Sequence, residues 1–213
     1  MSTRICFIGI IIALLPISCN RKIVKEQALR KASGIWTETF SIKRGSGELH
    51  LITPEKNLNA IFNFTYDRTR KELRGGFYGF LGVKIAEFTI SPSTVDAKTF
   101  TGGNINIDSL LNIAGIPTDF FVKCFGYDFN SSITNEKGIP VEDGVLISQG
   151  NMDILLDMDH RLPVKVVLLN VGRDVQVLYT DFRSVQGYKH PFKITFSMED
   201  KRLEVHLKKI VLQ

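Results

Sequence analysis

The chain has 213 residues, with 27 basic and 22 acidic side chains, a net charge of +5 and 44% hydrophobic residues. That length is enough for one sizeable domain. The basic excess is local: between Asn20 and Ala32 five Lys or Arg face only Glu26, and the chain beyond is neutral in sum, which argues against a nucleic-acid-binding domain.

In chain order, Arg4 is followed by the apolar run Ile5 to Leu15, the pattern of a secretory signal. The run is too short to span a bilayer, which takes about 20 apolar residues. Next comes Leu15-Pro16-Ile17-Ser18-Cys19, a small residue before a cysteine, and this resembles the lipobox of bacterial lipoproteins. It departs from that pattern in one respect, because Pro16 holds the place usually taken by leucine. The resemblance implies removal of residues 1–18, lipidation of Cys19 and membrane attachment through that anchor. Residues 19–32 then form a basic tether suited to an anionic bilayer surface, worth about 1 kcal/mol per Lys or Arg close to it. With Cys6 lost and Cys19 acylated, Cys124 is the one remaining thiol, so no internal disulfide is expected.

From Ser33 onward the hydrophobic period is two, the mark of strands with one buried face. Phe62, Phe64 and Tyr66 alternate with polar residues, as do Val175, Val177 and Tyr179. Near the end, Phe192, Ile194, Phe196 and Met198 precede a hairpin at Met198–Arg202, and Leu203, Val205 and Leu207 follow it. The apolar phase then slips to Ile210 and Leu212, which predicts a β-bulge at Lys208-Lys209. Turns are predicted at Gly45-Ser46-Gly47, Gly75-Gly76, Ser91-Pro92-Ser93, Gly102-Gly103, Gly172-Arg173 and Gly187.

Two helices interrupt the strands. Ile107, Leu110, Leu111 and Ala114 have helical spacing and stop at Gly115; a second helix from Thr118 places Phe120, Phe121, Cys124 and Phe125 on one side, with Gly126 as its stop. Long crossover helices are missing, so a parallel doubly wound sheet is not expected. The predicted fold is α+β: over residues 33–213, a strongly curved antiparallel sheet forms an incomplete, half β-barrel whose concave side is plugged by short helices.

Catalytic chemistry is not apparent. His50, His160, His190 and His206 have no metal-ligand spacing, and Cys124 falls on an apolar helix side, where packing is the expected role. Asp153, Asp157, Asp159 and His160 read as a strand ending in a charged turn, lacking the glycine of a calcium loop. There is no GxSxG elbow and no phosphate-cradling loop. No catalytic residue, metal or cofactor is therefore assigned. What stands out is 15 phenylalanines, which suit an ordinary core and an apolar binding site equally well.

Three segments in order, Gly79-Phe80-Leu81-Gly82, Leu110 to Phe129 and Val175 to Phe196, resemble the LolA/LolB lipoprotein-carrier superfamily, most nearly its LolB branch of outer-membrane receptors. The first is similar to a Pro-Leu-Gly loop with a projecting leucine, here with Phe80 in place of proline. The second resembles the helix, Thr-Gly-x-Pro step and second helix, and the third the closing strands. Asn130 to Gly144 is longer than that pattern would have it. The resemblance implies no enzyme but a periplasm-facing, outer-membrane lipoprotein that shelters the acyl chains of other lipoproteins and delivers them to the bilayer. Phe80 and Leu81 become the membrane-transfer loop, and Phe62, Phe64, Ile85, Phe88, Leu111, Phe120 and Phe121 the acyl-binding cavity. Acylated lipoproteins or lipid would be the partners, along with a periplasmic LolA-like carrier. Two alternatives stay open: an envelope lipoprotein binding a glycolipid or another apolar ligand, and a structural docking lipoprotein.

Overall fold

The computed structural model describes residues 40–55, 57–100, 115–129, 138–170 and 173–213. Cys19, the signal and tether, the helix expected over Ile107–Ala114 with Leu111, and Gly102-Gly103 lie outside the described residues.

Twelve strands form one sheet: β1 (Ile42–Ile52), β2 (Asn57–Asp67), β3 (Glu72–Tyr78), β4 (Lys84–Ile90), β5 (Val95–Thr99), β6 (Ile139–Val141), β7 (Gly144–Gln149), β8 (Met152–Asp157), β9 (Pro163–Leu168), β10 (Val175–Val185), β11 (Tyr188–Met198) and β12 (Lys201–Leu212). A helix, α1 (Thr118–Gly126), stands between β5 and β6. The sheet order is β5-β4-β3-β2-β1-β12-β11-β10-β9-β8-β7-β6, and neighbouring strands run antiparallel. Two meanders, β1–β5 and β6–β12, are thus sewn together by the β1–β12 ladder. The unpaired edges, β5 and β6, are linked in sequence by the segment that carries α1. This is the predicted α+β fold with an incomplete antiparallel barrel.

Period-two patterning places the core. Phe62, Phe64 and Tyr66 on β2, Ala86, Phe88 and Ile90 on β4, Val175, Val177 and Tyr179 on β10, and Ile194 and Phe196 on β11 are buried, while Asn63, Glu87 and Leu178 between them are exposed. The bulge predicted from the phase slip is present. Ser46 pairs with Lys209 and Gly47 with Leu207, so Lys208 is the extra residue and Ile210 and Leu212 return to the buried side.

The glycine pairs are a correction to the predicted turns. Gly45-Ser46-Gly47 lies inside β1 and Gly75-Gly76 inside β3. The reason is close approach: a Cβ on Gly45 would stand 2.7 Å from the Phe64 ring, and one on Gly75 2.5 Å from the Phe88 ring. Large rings therefore lie flat over bare backbone. The predicted turn at Ser91-Pro92-Ser93 does close the β4–β5 hairpin, with the Ser91 amide donating to Thr94 O at 2.9 Å. Gln186-Gly187 closes β10–β11 with positive φ at both residues, as the twist of a two-residue hairpin demands. The expected loop from Asn130 is shortened by β6, which occupies Ile139–Val141 within it.

Candidate functional site

Of the predicted cavity residues, Phe62, Phe64, Phe88, Phe120 and Phe121 are all buried. Four of them join one aromatic cluster, in which Phe88 meets Phe77 at 5.1 Å, Phe77 meets Phe62 at 6.4 Å, and Phe62 meets Phe64 at 5.8 Å between ring centroids. Phe125 of α1 closes on Phe64 at 5.0 Å and on Phe62 at 6.2 Å, and Phe121 bridges Phe125 at 5.7 Å to Phe196 at 5.2 Å. These rings pack against one another between the sheet and α1. Ile85 is half-buried. Tyr78 pairs with Lys84 and Phe77 with Ala86, so Ile85 is the extra residue of a bulge and stands outside the buried row of Ala86, Phe88 and Ile90.

Phe77, Phe125 and Phe196 were not among the predicted lining residues. Phe125 and Phe196 were legible from their apolar periodicity. Phe77 was not, because the double glycine before it reads as a turn.

The helix is short, nine residues, and its contacts fix it to the concave face. Phe120, Phe121, Val122, Cys124 and Phe125 are buried, and Asp119 and Lys123 sit at the ends where the helix dipole favours them. The helix ends at Gly126 as predicted, but the left-handed conformation falls on the next residue, Tyr127, φ 58°, whose amide donates to Cys124 O at 3.2 Å. Gly126 is glycine for space, because a methyl group there would overlap the Tyr66 ring.

Buried side chains of the sheet hold the last turn of α1. Tyr179 of β10 donates its hydroxyl to Cys124 O at 3.1 Å, and Lys43 of β1 donates from Nζ to Phe125 O at 3.0 Å. Tyr127 donates its hydroxyl to Pro163 O at 3.0 Å. Burial pushes the Cys124 thiol up to about 12, so it is held as an unreactive thiol, and burial also raises Tyr179 well above its ordinary value. Burial brings Lys43 down to about 7. His190 is lowered well below the ordinary histidine value, first by burial and then by the Lys43 charge.

The β3–β4 connection is a single 3-10 turn, Phe80–Gly82, in which Leu81 has φ 64° and Gly82 φ 74°. Positive φ at a leucine is costly, and its side chain is 86% exposed. By strand direction this turn lies at the same end of the sheet as the β1–β2 hairpin and the end of β5. Exposed Ile52, Leu58, Ile61, Val83 and Phe100 share that end.

The acidic cluster is structural in form: Asp157 ends β8 and its carboxylate accepts the amides of Leu162 at 2.6 Å and His160 at 3.2 Å. Among the described residues no group of three His, Cys, Asp or Glu could hold a metal.

Solved structures carry this architecture. A LolA superfamily protein from Nitrosomonas europaea matches with TM-score 0.50 at 10% identity, over 88% of this chain and 93% of that one. The fold is similar to that of this LolA superfamily protein. A DUF1329 family protein from Desulfovibrio piger matches with TM-score 0.50 at 6% identity, over 90% and 92% of the two chains. The likeness is one of fold and does not single out the LolB branch. No protein-family model matches the sequence, and no curated protein matches it.

Proposed function

We propose that the protein is a lipid carrier of the cell envelope, anchored through Cys19 at the periplasmic face of the outer membrane, that takes up acyl chains on its aromatic floor and delivers them to a bilayer. It acts by binding and not by catalysis. The observation that carries this reading is the cover of the concave face, where, among the described residues, the nine-residue helix α1 overlies an apolar floor. Lifting α1 takes Phe120, Phe121, Val122 and Phe125 out of their buried places, at a cost of about 6–12 kcal/mol for four apolar side chains. An acyl chain laid in their place recovers about 0.8 kcal/mol per methylene, so a long chain more than offsets the opening. The packed rings are then the closed, unloaded state of a site that opens for its ligand.

Leu81 is the proposed point of delivery, since an exposed leucine on a strained turn suits insertion among lipid tails. Acylated lipoproteins are the proposed cargo, received from a periplasmic carrier. The test is transfer of a diacylated lipopeptide from the purified chain to liposomes, with Leu81→Glu as the variant. The expected result is unchanged loading and folding with transfer lost. Transfer at the wild-type rate would overturn the role of Leu81, and failure to load any lipopeptide would overturn the carrier reading. In that case the packed interior would favour the alternative of an envelope protein that serves as a docking scaffold.

A further inference from the structure

We propose that the interior recognises the acid group of a long-chain carboxylate through Lys43 and His190, at the end of the aromatic floor remote from Leu81. The inference rests on the carrier reading and gives its ligand a head group. Lys43 is 0% exposed. Its ammonium carries three N–H donors and spends one on Phe125 O. It stands over the rings of Phe64 at 5.8 Å and Phe125 at 5.5 Å, so its surroundings are apolar. Among the described residues no carboxylate forms an ion pair with it, and burial is what acts on its ammonium. A buried cation with no counter-ion is costly, and an anion entering beside it removes that cost.

His190 is the second, independent observation. It is 4% exposed, and among the described residues its Nε2 has no hydrogen-bond partner. A buried polar nitrogen left unmatched costs free energy that a ligand oxygen would restore. Its ring lies 5.4 Å from that of Tyr127, two residues beyond the carbonyl that Lys43 holds. Lys43 thus holds the last turn of α1 and His190 packs on the residue that follows it, with the lysine charge weakening the basicity of the imidazole. Support of the helix explains one N–H of Lys43; it leaves His190 Nε2 unexplained.

The tail has a path of matching polarity. Lys43 pairs with Tyr66 on β2, and from Tyr66 to Ala60 the strand advances about 20 Å past Phe64 and Phe62 toward the end that bears Leu81. An amphiphile lying along it sets its acid at the cationic end and its hydrocarbon on the rings.

The test measures binding of oleate and of oleyl alcohol, its uncharged counterpart, to the full chain by displacement of a fluorescent acyl probe. Wild-type protein should favour oleate by about tenfold or more, the worth of a charge-assisted hydrogen bond. Lys43→Met should remove that preference without weakening affinity for the alcohol, which the lost bond to Phe125 O should leave equal or tighter, and Lys43→Arg should retain the preference. If Lys43→Met fails to fold, His190→Phe serves instead and should reduce the preference. Equal binding of acid and alcohol by the wild type, or a preference that survives both Lys43→Met and His190→Phe, would overturn the head-group site and leave the carrier reading standing. Binding of neither ligand would overturn both.

Discussion

If ligand enters by lifting α1, a change that loosens the closed state should tighten binding, and Tyr179→Phe is the cleanest such change. It removes the hydroxyl bonded to Cys124 O and keeps the ring that packs on Tyr127 at 4.9 Å and Phe129 at 6.0 Å. Cys124 O retains the Tyr127 amide at 3.2 Å, so the carbonyl is not orphaned and the loss should be about 1 kcal/mol, the net worth of one hydrogen bond. Where only the open state binds, apparent affinity scales with its population. A loss of about 1 kcal/mol from the closed state then tightens binding about fivefold, since 1.4 kcal/mol is tenfold. Urea denaturation gives the first quantity, and titration with uncharged oleyl alcohol gives the second without involving the acid site. Stability that falls while affinity stays unchanged or weakens would refute the idea that α1 must move.

Other expectations follow from single positions. Gly126→Ala should destabilise the protein by about 1–3 kcal/mol through overpacking against Tyr66, despite the better helix propensity of alanine; a raised urea midpoint would contradict the close approach. Cys124, with its thiol near 12, should be about one part in ten thousand thiolate at pH 8 and resist a thiol reagent until the protein is unfolded; rapid labelling of the native protein would show the helix already open. Lys43, at about 7 in the fold against an ordinary 10.5, binds fewer protons folded than unfolded across that window, so its penalty is full below pH 7 and fades as pH rises. Between pH 7 and pH 9 the wild type should therefore gain about 2 kcal/mol relative to Lys43→Met, measured as the difference between their urea-derived stabilities at the two pH values.

Strand positions were legible wherever one face is buried, because alternation at Phe62–Tyr66, Val175–Tyr179 and Phe192–Met198 leaves no other reading. Even the bulge at Lys208 showed as a slip of phase. Glycine misled in both directions. In β1 and β3 it marks rings lying on backbone, and at Gly126 it marks a tyrosine against the helix; these are contacts between residues distant in sequence, which local turn chemistry does not encode. The same limit hid the polar side of the interior. Lys43 and His190 sit in strands whose sequence gives no sign that both will meet the last turn of α1, since that meeting depends on the β1–β12 ladder and on the crossover between the sheet edges.

That crossover is also where the fold should open most cheaply. A nine-residue helix is too short to be stable alone, so its place depends on ring contacts and on the bonds from Tyr179 and Lys43. The ladder between β1 and β12 joins ten residue pairs, and parting it would break the sheet at its centre. Local unfolding follows the lowest-cost route, which here lifts the helix and leaves the barrel wall whole. The hydrocarbon floor and the cation at its end would then be uncovered together by one motion, while Leu81 is exposed throughout, and the order of events, helix release before ligand entry, is fixed by which contacts are weakest.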